Sequence, residues 1–243
     1  TAGTGMADQI HAGMVRDGLS ETEARSRIWL IDRGGLVTDD MPDLPDYEQV
    51  YARPAADVAD WERGSRGIGL LEVVRRVRPT ILIGTSTDHG AFTQDVIEAL
   101  CVGADRPIVL PLSNPTERIE AMPADVIAWS GGRALVAAGI PVEDVEYDGV
   151  TYTIGQGNNA LLYPGLGLGA VVSGAREITD GMLLAAAEAV ASQVDPLPRG
   201  AALLPPVRDL RASSAIVAEA VARCAETEGA ASRTHDDLAR AIK

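Results

Sequence analysis

Residues 79–117 read PTILIGTSTDHGAFTQDVIEALCVGADRPIVLPLSNPTE. Two aliphatic runs, PTILIGTS (79–86) and RPIVLPLS (106–113), flank a segment, 92–104, whose apolar residues recur with helical spacing and whose Thr93 is placed to cap it. Apolar runs without polar alternation are what strands buried on both faces of a parallel sheet require. Strand, helix and strand in that order form one crossover unit. The pattern repeats outward. RIWLID (27–32) and RALVAAG (133–139) are further strand candidates, and GMADQIHAGMVRDG (5–18), GLLEVVRRVR (69–78) and ADVIAWS (124–130) carry helical spacing. The alternation predicts an α/β fold built on a doubly wound parallel sheet.

Each strand candidate ends in a polar or turn residue: Asp32, Thr85 and Ser86, Ser113 and Asn114, and Gly139. In open α/β sheets ligands bind beyond the carboxyl ends of the strands, so a site is expected at these tips. After residue 140 the character changes. VEYDGVTYTI (145–154) reads as a hairpin closed by Asp148-Gly149, a pair suited to positive φ. Helical segments follow at 161–175, at 178–194 with Thr179 as N-cap, and at 207–226, with a proline-rich arm over 195–207. The expected organisation is a core over 1–140, a hairpin and C-terminal helices over 141–225 packing on the same domain, and a loosely attached tail over 226–243.

The bulk numbers exclude several functions. A net charge of −14 over 243 residues, with no basic stripe, argues against nucleic acid as a partner. Cys101 and Cys224 lie in apolar helical patterns and form no CxxC, so both read as small buried hydrophobes, with the cytoplasm as the default compartment. The longest apolar stretch, 160–175, is interrupted by Pro and Gly and is too short to span a bilayer, so no membrane partner is expected. The sole lysine is Lys243, and arginine cannot serve as a proton acceptor in its place.

Several residues carry candidate chemistry. Asp32 follows a strand candidate about 30 residues after Gly3 and Gly5, where a dinucleotide fold sets an acid against the adenosine ribose; it fits an ordinary strand-end turn equally well. Arg33 could meet a 2′-phosphate and Glu48 would oppose one, which favours NAD over NADP. Thr85 and Ser86 precede the helix capped by Thr93, a setting that receives an anion or a ribose, or is simply a strand-to-helix turn. His89 in that loop reads as a solvated surface residue. Asn114 stands before Pro115, and Asn158-Asn159 follow the glycine-loosened IGQG. Uncharged amides supply both donors and acceptors, which suits the carboxylate and hydroxyl of a small acid.

The runs TAGTGMADQI, IWLIDRGGLVTDD, PTILIGTS with GAFT, RPIVLPLSNPTE, GRALVAAGIP, GVTYTIGQGNNALLYPGLGLG and REITDGMLLAAAEAVA resemble the C-terminal dinucleotide-binding domain of malic enzymes, nearest the bacterial NAD-linked and malolactic branches. The likeness covers nearly all of residues 1–225, and LSNPT followed by GQGNN is its most specific part. The resemblance implies a Rossmann-like sheet whose first strand and Gly-Ala-Gly precede Thr1. It implies that Thr1 and Ala2 lie near the pyrophosphate, Asp32 and Arg33 near the adenosine ribose, and Thr85, Ser86 and Asn114 along the nucleotide. Asn114, Asn158 and Asn159 would hold malate. It further implies oxidative decarboxylation of malate to pyruvate and CO2 with NAD and Mg2+ or Mn2+, in a homo-oligomer. The lysine base, tyrosine acid and metal ligands would lie upstream, so this stretch alone is expected to be inactive. A malolactic enzyme giving lactate, or a catalytically silent nucleotide-binding module, are the alternatives.

Overall fold

A computed structural model describes residues 2–234 and 242 and resolves two compact units, Thr1–Ala134 and Leu135–Lys243. The first opens with helix α1 (Ala2–Arg16), which ends where Gly18, at φ 104°, turns the chain so that Leu19 N–H reaches back to Met14 O at 3.1 Å. Ser20 then starts α2 (Glu21–Ser26) through a reciprocal capping box: Glu23 N–H donates to Ser20 Oγ at 3.2 Å and Ser20 N–H to Glu23 Oε2 at 3.1 Å. Accepting from the Ser20 hydroxyl at 2.7 Å, and from Ser20 N–H, holds the Glu23 carboxyl below its ordinary pKa.

The segment 27–32 departs from expectation. Only β1 (Ile31–Asp32) is strand, and it pairs antiparallel with β2 (Gly35–Leu36), Ile31 opposite Leu36. The reason is local. Gly35, at φ 86°, allows a tight return against Ile68, whose carbonyl would lie 2.6 Å from any Cβ there. The apolar residues of this run instead feed a cluster of Leu36, Val58, Ile68 and Val73, against which Trp29, Ile31 and Trp61 pack. Trp29 stacks on Trp61 at 5.5 Å, and the Arg53 guanidinium lies 3.9 Å above Trp29 while donating to the Ser26 and Ile28 carbonyls.

Helix α3 (Asp46–Gln49) and helix α4 (Leu70–Val77) lead to β3 (Ile81–Gly84), α5 (Gln94–Gly103), β4 (Ile108–Pro111) and α6 (Pro123–Trp129). Strands β3 and β4 are parallel with Ile81 opposite Ile108 and Gly84 opposite Pro111, so their carboxyl ends lie side by side. Thr93 caps α5 by accepting from Val96 N–H. Burial along β3 and β4 alternates, with Ile81 exposed, so one face of each strand is well covered and the other only partly. That corrects the expectation of burial on both faces.

In the second unit β5 (Leu135–Ala138) is followed by the hairpin β6 (Val145–Tyr147) and β7 (Val150–Tyr152), closed by Asp148 and Gly149 at φ 51° and 70° as their residue types require. The two-residue β8 (Gly155–Gln156) pairs parallel with β5. Three helices complete the unit: α7 (Tyr163–Ser173), α8 (Asp180–Ala191) and α9 (Leu210–Thr227). Their core joins Leu161, Leu166, Met182, Ala186, Val190, Val217 and Val221. The 195–206 arm crosses the hairpin, where Arg199 Nε donates to Tyr152 OH at 2.8 Å. Beyond α9, Ala230 O accepts from Arg176 N–H and Ser232 N–H donates to Ser173 O, while most of the tail after 234 lies outside the described residues.

Thr179 accepts from Met182 N–H at 3.1 Å and donates to Glu228 Oε2, so it caps α8 and ties it to the end of α9. Replacing Thr179 with alanine is expected to destabilise the protein by about 1–2 kcal/mol, read as a lowered midpoint in chemical unfolding.

Candidate functional site

Within the first unit, the start of α1 meets the end of β3. A Cβ on Gly3 would lie 3.0 Å from Thr85 Oγ1, so the small residues opening α1 let the helix terminus approach the strand tip. Ala2 is exposed beside it; Thr1 lies outside the described residues. Thr85 is half-buried and Ser86 exposed at the same tip, and Leu112 N–H donates to Gly84 O at 2.9 Å, carrying the β3–β4 pairing to the brink of Ser113 and Asn114. The structure therefore brings Ala2, Thr85, Ser86 and Asn114 to one end of the parallel pair. Asn114 is exposed and precedes Pro115 through a cis peptide bond.

Asp32 occupies a separate stretch of the same unit. It lines a cleft of about 440 Å³ with Gly34, Met41, Pro42, Tyr47 and Glu48. Arg33 is exposed and does not line that cleft. Just past its end, helix α3, which supplies Glu48, is fastened to α1: the buried Tyr51 hydroxyl donates to Asp8 Oδ1 at 2.7 Å. Burial and the adjoining Asp8 carboxylate both push the Tyr51 phenol well above its ordinary range, so it remains a donor.

In the second unit Asn158 and Asn159 follow β8. Asn158 Oδ1 accepts from Ala160 N–H at 2.9 Å, capping a single 3-10 turn, and Gly157 N–H donates to Ala138 O at 2.8 Å, which fixes the approach. Asn159 is exposed, and its amide makes no hydrogen bond to another described residue. His89 is exposed, as expected of a surface residue. Cys101 is buried and Cys224 half-buried, both free thiols raised in pKa chiefly by burial. Among the described residues, no group of three or more His, Cys, Asp or Glu side chains is placed to hold a metal ion, and no helix is long and apolar enough to cross a membrane.

One buried group at the strand tips escaped the sequence reading. Glu120 is fully buried and accepts from Ser86 and Ser113. A carboxylate set between Ile119 and Ala121-Met122, close behind the Asn114 turn, is the signal that could have exposed it.

Comparison with known proteins identifies the family and the fold. The family described as "Malic enzyme, NAD binding domain" matches residues 1–226. The chain is 54% identical over its whole length to a putative malate oxidoreductase [NAD] of Mycobacterium tuberculosis and 51% identical to NAD-dependent malic enzyme 3 of Bacillus subtilis, covering 44% and 43% of those proteins. It is 46% identical to the malolactic enzyme of Lactococcus lactis, again covering 44% of that protein. The chain thus spans less than half the length of the curated relatives it matches. Among solved structures, a malic enzyme from Pyrococcus horikoshii superposes with a TM-score of 0.62 at 27% identity, over 85% of this chain and 42% of that one. A malic enzyme from Entamoeba histolytica gives 0.65 at 23% identity, over 88% and 40%, and bears on the fold alone. The match along residues 1–226, nearly the whole chain, together with the high identity to its relatives, places this chain in the malic enzyme family as its NAD-binding domain.

Proposed function

We propose that this chain is the cofactor- and malate-binding domain of an NAD-dependent malic enzyme that converts malate to pyruvate and CO2. The observation that carries the reading is the approach of Gly3 to Thr85, with Ser86 and Asn114 at the same strand ends. A cradle that a Cβ would fill, at a helix N-terminus facing the carboxyl end of a parallel strand, suits a pyrophosphate. Ala2, with Thr1 ahead of it, takes the pyrophosphate in this reading, and Asp32 takes the ribose hydroxyls. Thr85, Ser86 and Asn114 follow the nucleotide towards its reactive end.

NAD, when bound, accepts the hydride from malate. The chain's own part is to bind and orient: on the resemblance, the amide of Asn114 and, in the second unit, those of Asn158 and Asn159 are each assigned hydrogen bonds to malate, whose carboxylates and hydroxyl they meet without adding charge. The described residues offer no metal-ligand set, and the sole lysine is Lys243. On the resemblance, the Mg2+ or Mn2+, lysine base and tyrosine acid of the reaction are assigned upstream of this NAD-binding domain, and the chain by itself is expected to be inactive. Self-association, on the resemblance, and a cytoplasmic location, on the absence of a cysteine pairing pattern in the sequence, complete the proposal.

Glu48 beside Asp32 in the cleft, with Arg33 outside it, supports NAD over NADP. Replacing Glu48 with lysine in the full-length protein is expected to raise the NADP-to-NAD preference at least about tenfold, through a charge-assisted bond to the 2′-phosphate. Steady-state kinetics with each cofactor checks it, and an unaltered ratio rejects the placement.

Calorimetry tests the main reading. The full-length protein should bind NAD more tightly when malate and Mn2+ are present, and this chain alone should bind NAD with no response to malate. Absence of any NAD binding by the full-length protein would contradict it. A second reading, malolactic activity, is favoured by the identity to the Lactococcus lactis protein, and the product, lactate without net NADH, distinguishes it.

A further inference from the structure

Behind the two strand ends sits the carboxylate of Glu120. It is fully buried, and its Oε1 accepts from Ser86 N–H at 2.8 Å, Ser86 Oγ at 2.9 Å and Ser113 Oγ at 2.6 Å, while Oε2 accepts from Ser113 N–H at 3.3 Å. The hydroxyl directions follow from the remaining bonds. Ser86 Oγ accepts from Asp88 N–H at 3.1 Å and Ser113 Oγ accepts from Thr87 N–H at 2.9 Å, so each hydroxyl proton is left for Glu120.

The backbone around it repeats the arrangement. Gly90 N–H donates to Ile119 O and Phe92 N–H to Glu120 O, so both halves of the loop after β3 are fastened to one dipeptide. Gly84 leaves room for the side chain, because a Cβ there would lie 2.5 Å from Glu120 Cδ. Between the two serine contacts Thr87 holds φ at 56°, a left-handed conformation that a β-branched residue adopts only where its surroundings impose it.

All the side-chain contacts of this carboxylate run to the two loops that carry Ser86 and Asn114. We propose that Glu120 is a positioning residue: by accepting from Ser86 and Ser113 together it locks the loop after β3 to the end of β4, and so sets where Asn114 presents its amide. The inference rests on the assignment of Asn114 to cofactor and malate given above.

Glu120→Gln keeps the shape but turns one acceptor into a donor, which must then face Ser113 N–H or the Oε1 donor set. In the full-length protein this variant is expected to lower kcat/KM for malate on the order of 100-fold, as a small misplacement of an orienting group does. Amide hydrogen exchange at 86–88 should accelerate while that of α5 and α6 stays at the parent value. Ser113→Ala, which retains the carboxylate, should show the same exchange signature and a loss of about tenfold, and the double variant should be no worse than Glu120→Gln alone because both act through one network. If Glu120→Gln fails to fold, Ser113→Ala carries both readouts. A kcat/KM within about twofold of the parent, losses that simply multiply, or unchanged exchange at 86–88 would overturn the proposal. A parent protein that does not oxidise malate would overturn the functional reading instead, and exchange at 86–88 would then decide the bracing by itself.

Discussion

Replacing Asn159 with alanine in the full-length protein is expected to lower kcat/KM for malate roughly 10- to 100-fold, the loss of one hydrogen bond to a charged substrate group. The affinity for NAD and the unfolding midpoint should stay near those of the parent. The expectation follows from the local geometry. Asn159 is exposed with its amide uncommitted among the described residues, whereas its neighbour Asn158 spends its carbonyl on Ala160 N–H. Asn158→Ala should consequently cost malate kinetics and some stability together, because the 3-10 turn over Asn159–Leu161 loses its cap. Kinetics with NAD saturating and malate varied separate the two. Unchanged malate kinetics in Asn159→Ala would remove that residue from the substrate site.

The second large effect concerns stability and discriminates between neighbouring glycines. Helix α7 approaches α9 so closely that a Cβ on Gly169 would lie 2.6 Å from Ala218 O and 2.8 Å from Val221 Cβ. A backbone carbonyl cannot rotate away, so the helices must separate. Gly169→Ala is expected to destabilise by about 2–3 kcal/mol, the cost of overpacking a tight contact. Gly167 lies two residues away on the open side, where a Cβ would meet nothing within 4 Å. There the same substitution should stabilise by about 0.5–1 kcal/mol, because alanine loses less backbone freedom than glycine. Urea unfolding of the two variants checks the opposite signs, and equal midpoints would contradict the packing described for α7 and α9.

The elements legible in the sequence are those specified by neighbours along the chain. Thr93 and Thr179 announce α5 and α8 because a cap and its helix lie within one turn, and Asp148-Gly149 fixes the hairpin because the turn chemistry admits few alternatives. The parallel strands β3, β4 and β5 fall inside runs whose aliphatic character survives even half-burial. RIWLID was misleading for the complementary reason. An apolar run serves a strand or a local cluster equally well, and Gly35 with the Trp29–Trp61 stack decides for the cluster. β8, only two residues long, has no periodicity to read.

The candidate site divides in the same way. Strand-end residues such as Thr85, Ser86 and Asn114 are legible because topology alone brings the carboxyl ends of parallel neighbours together. For Glu120 the apolar neighbours signal burial but not the role, which depends on Ser86, 34 residues earlier. Arg33 and Glu48 illustrate the intermediate case. Both follow Asp32 in the sequence, but only the folded arrangement shows that Glu48 lines the cleft and Arg33 does not.

The most direct test of the account is product stoichiometry. The full-length protein, incubated with L-malate, NAD and Mn2+, is predicted to release one pyruvate and one CO2 for each NADH formed. Lactate without net NADH, or no consumption of malate by a protein that binds NAD, would contradict it.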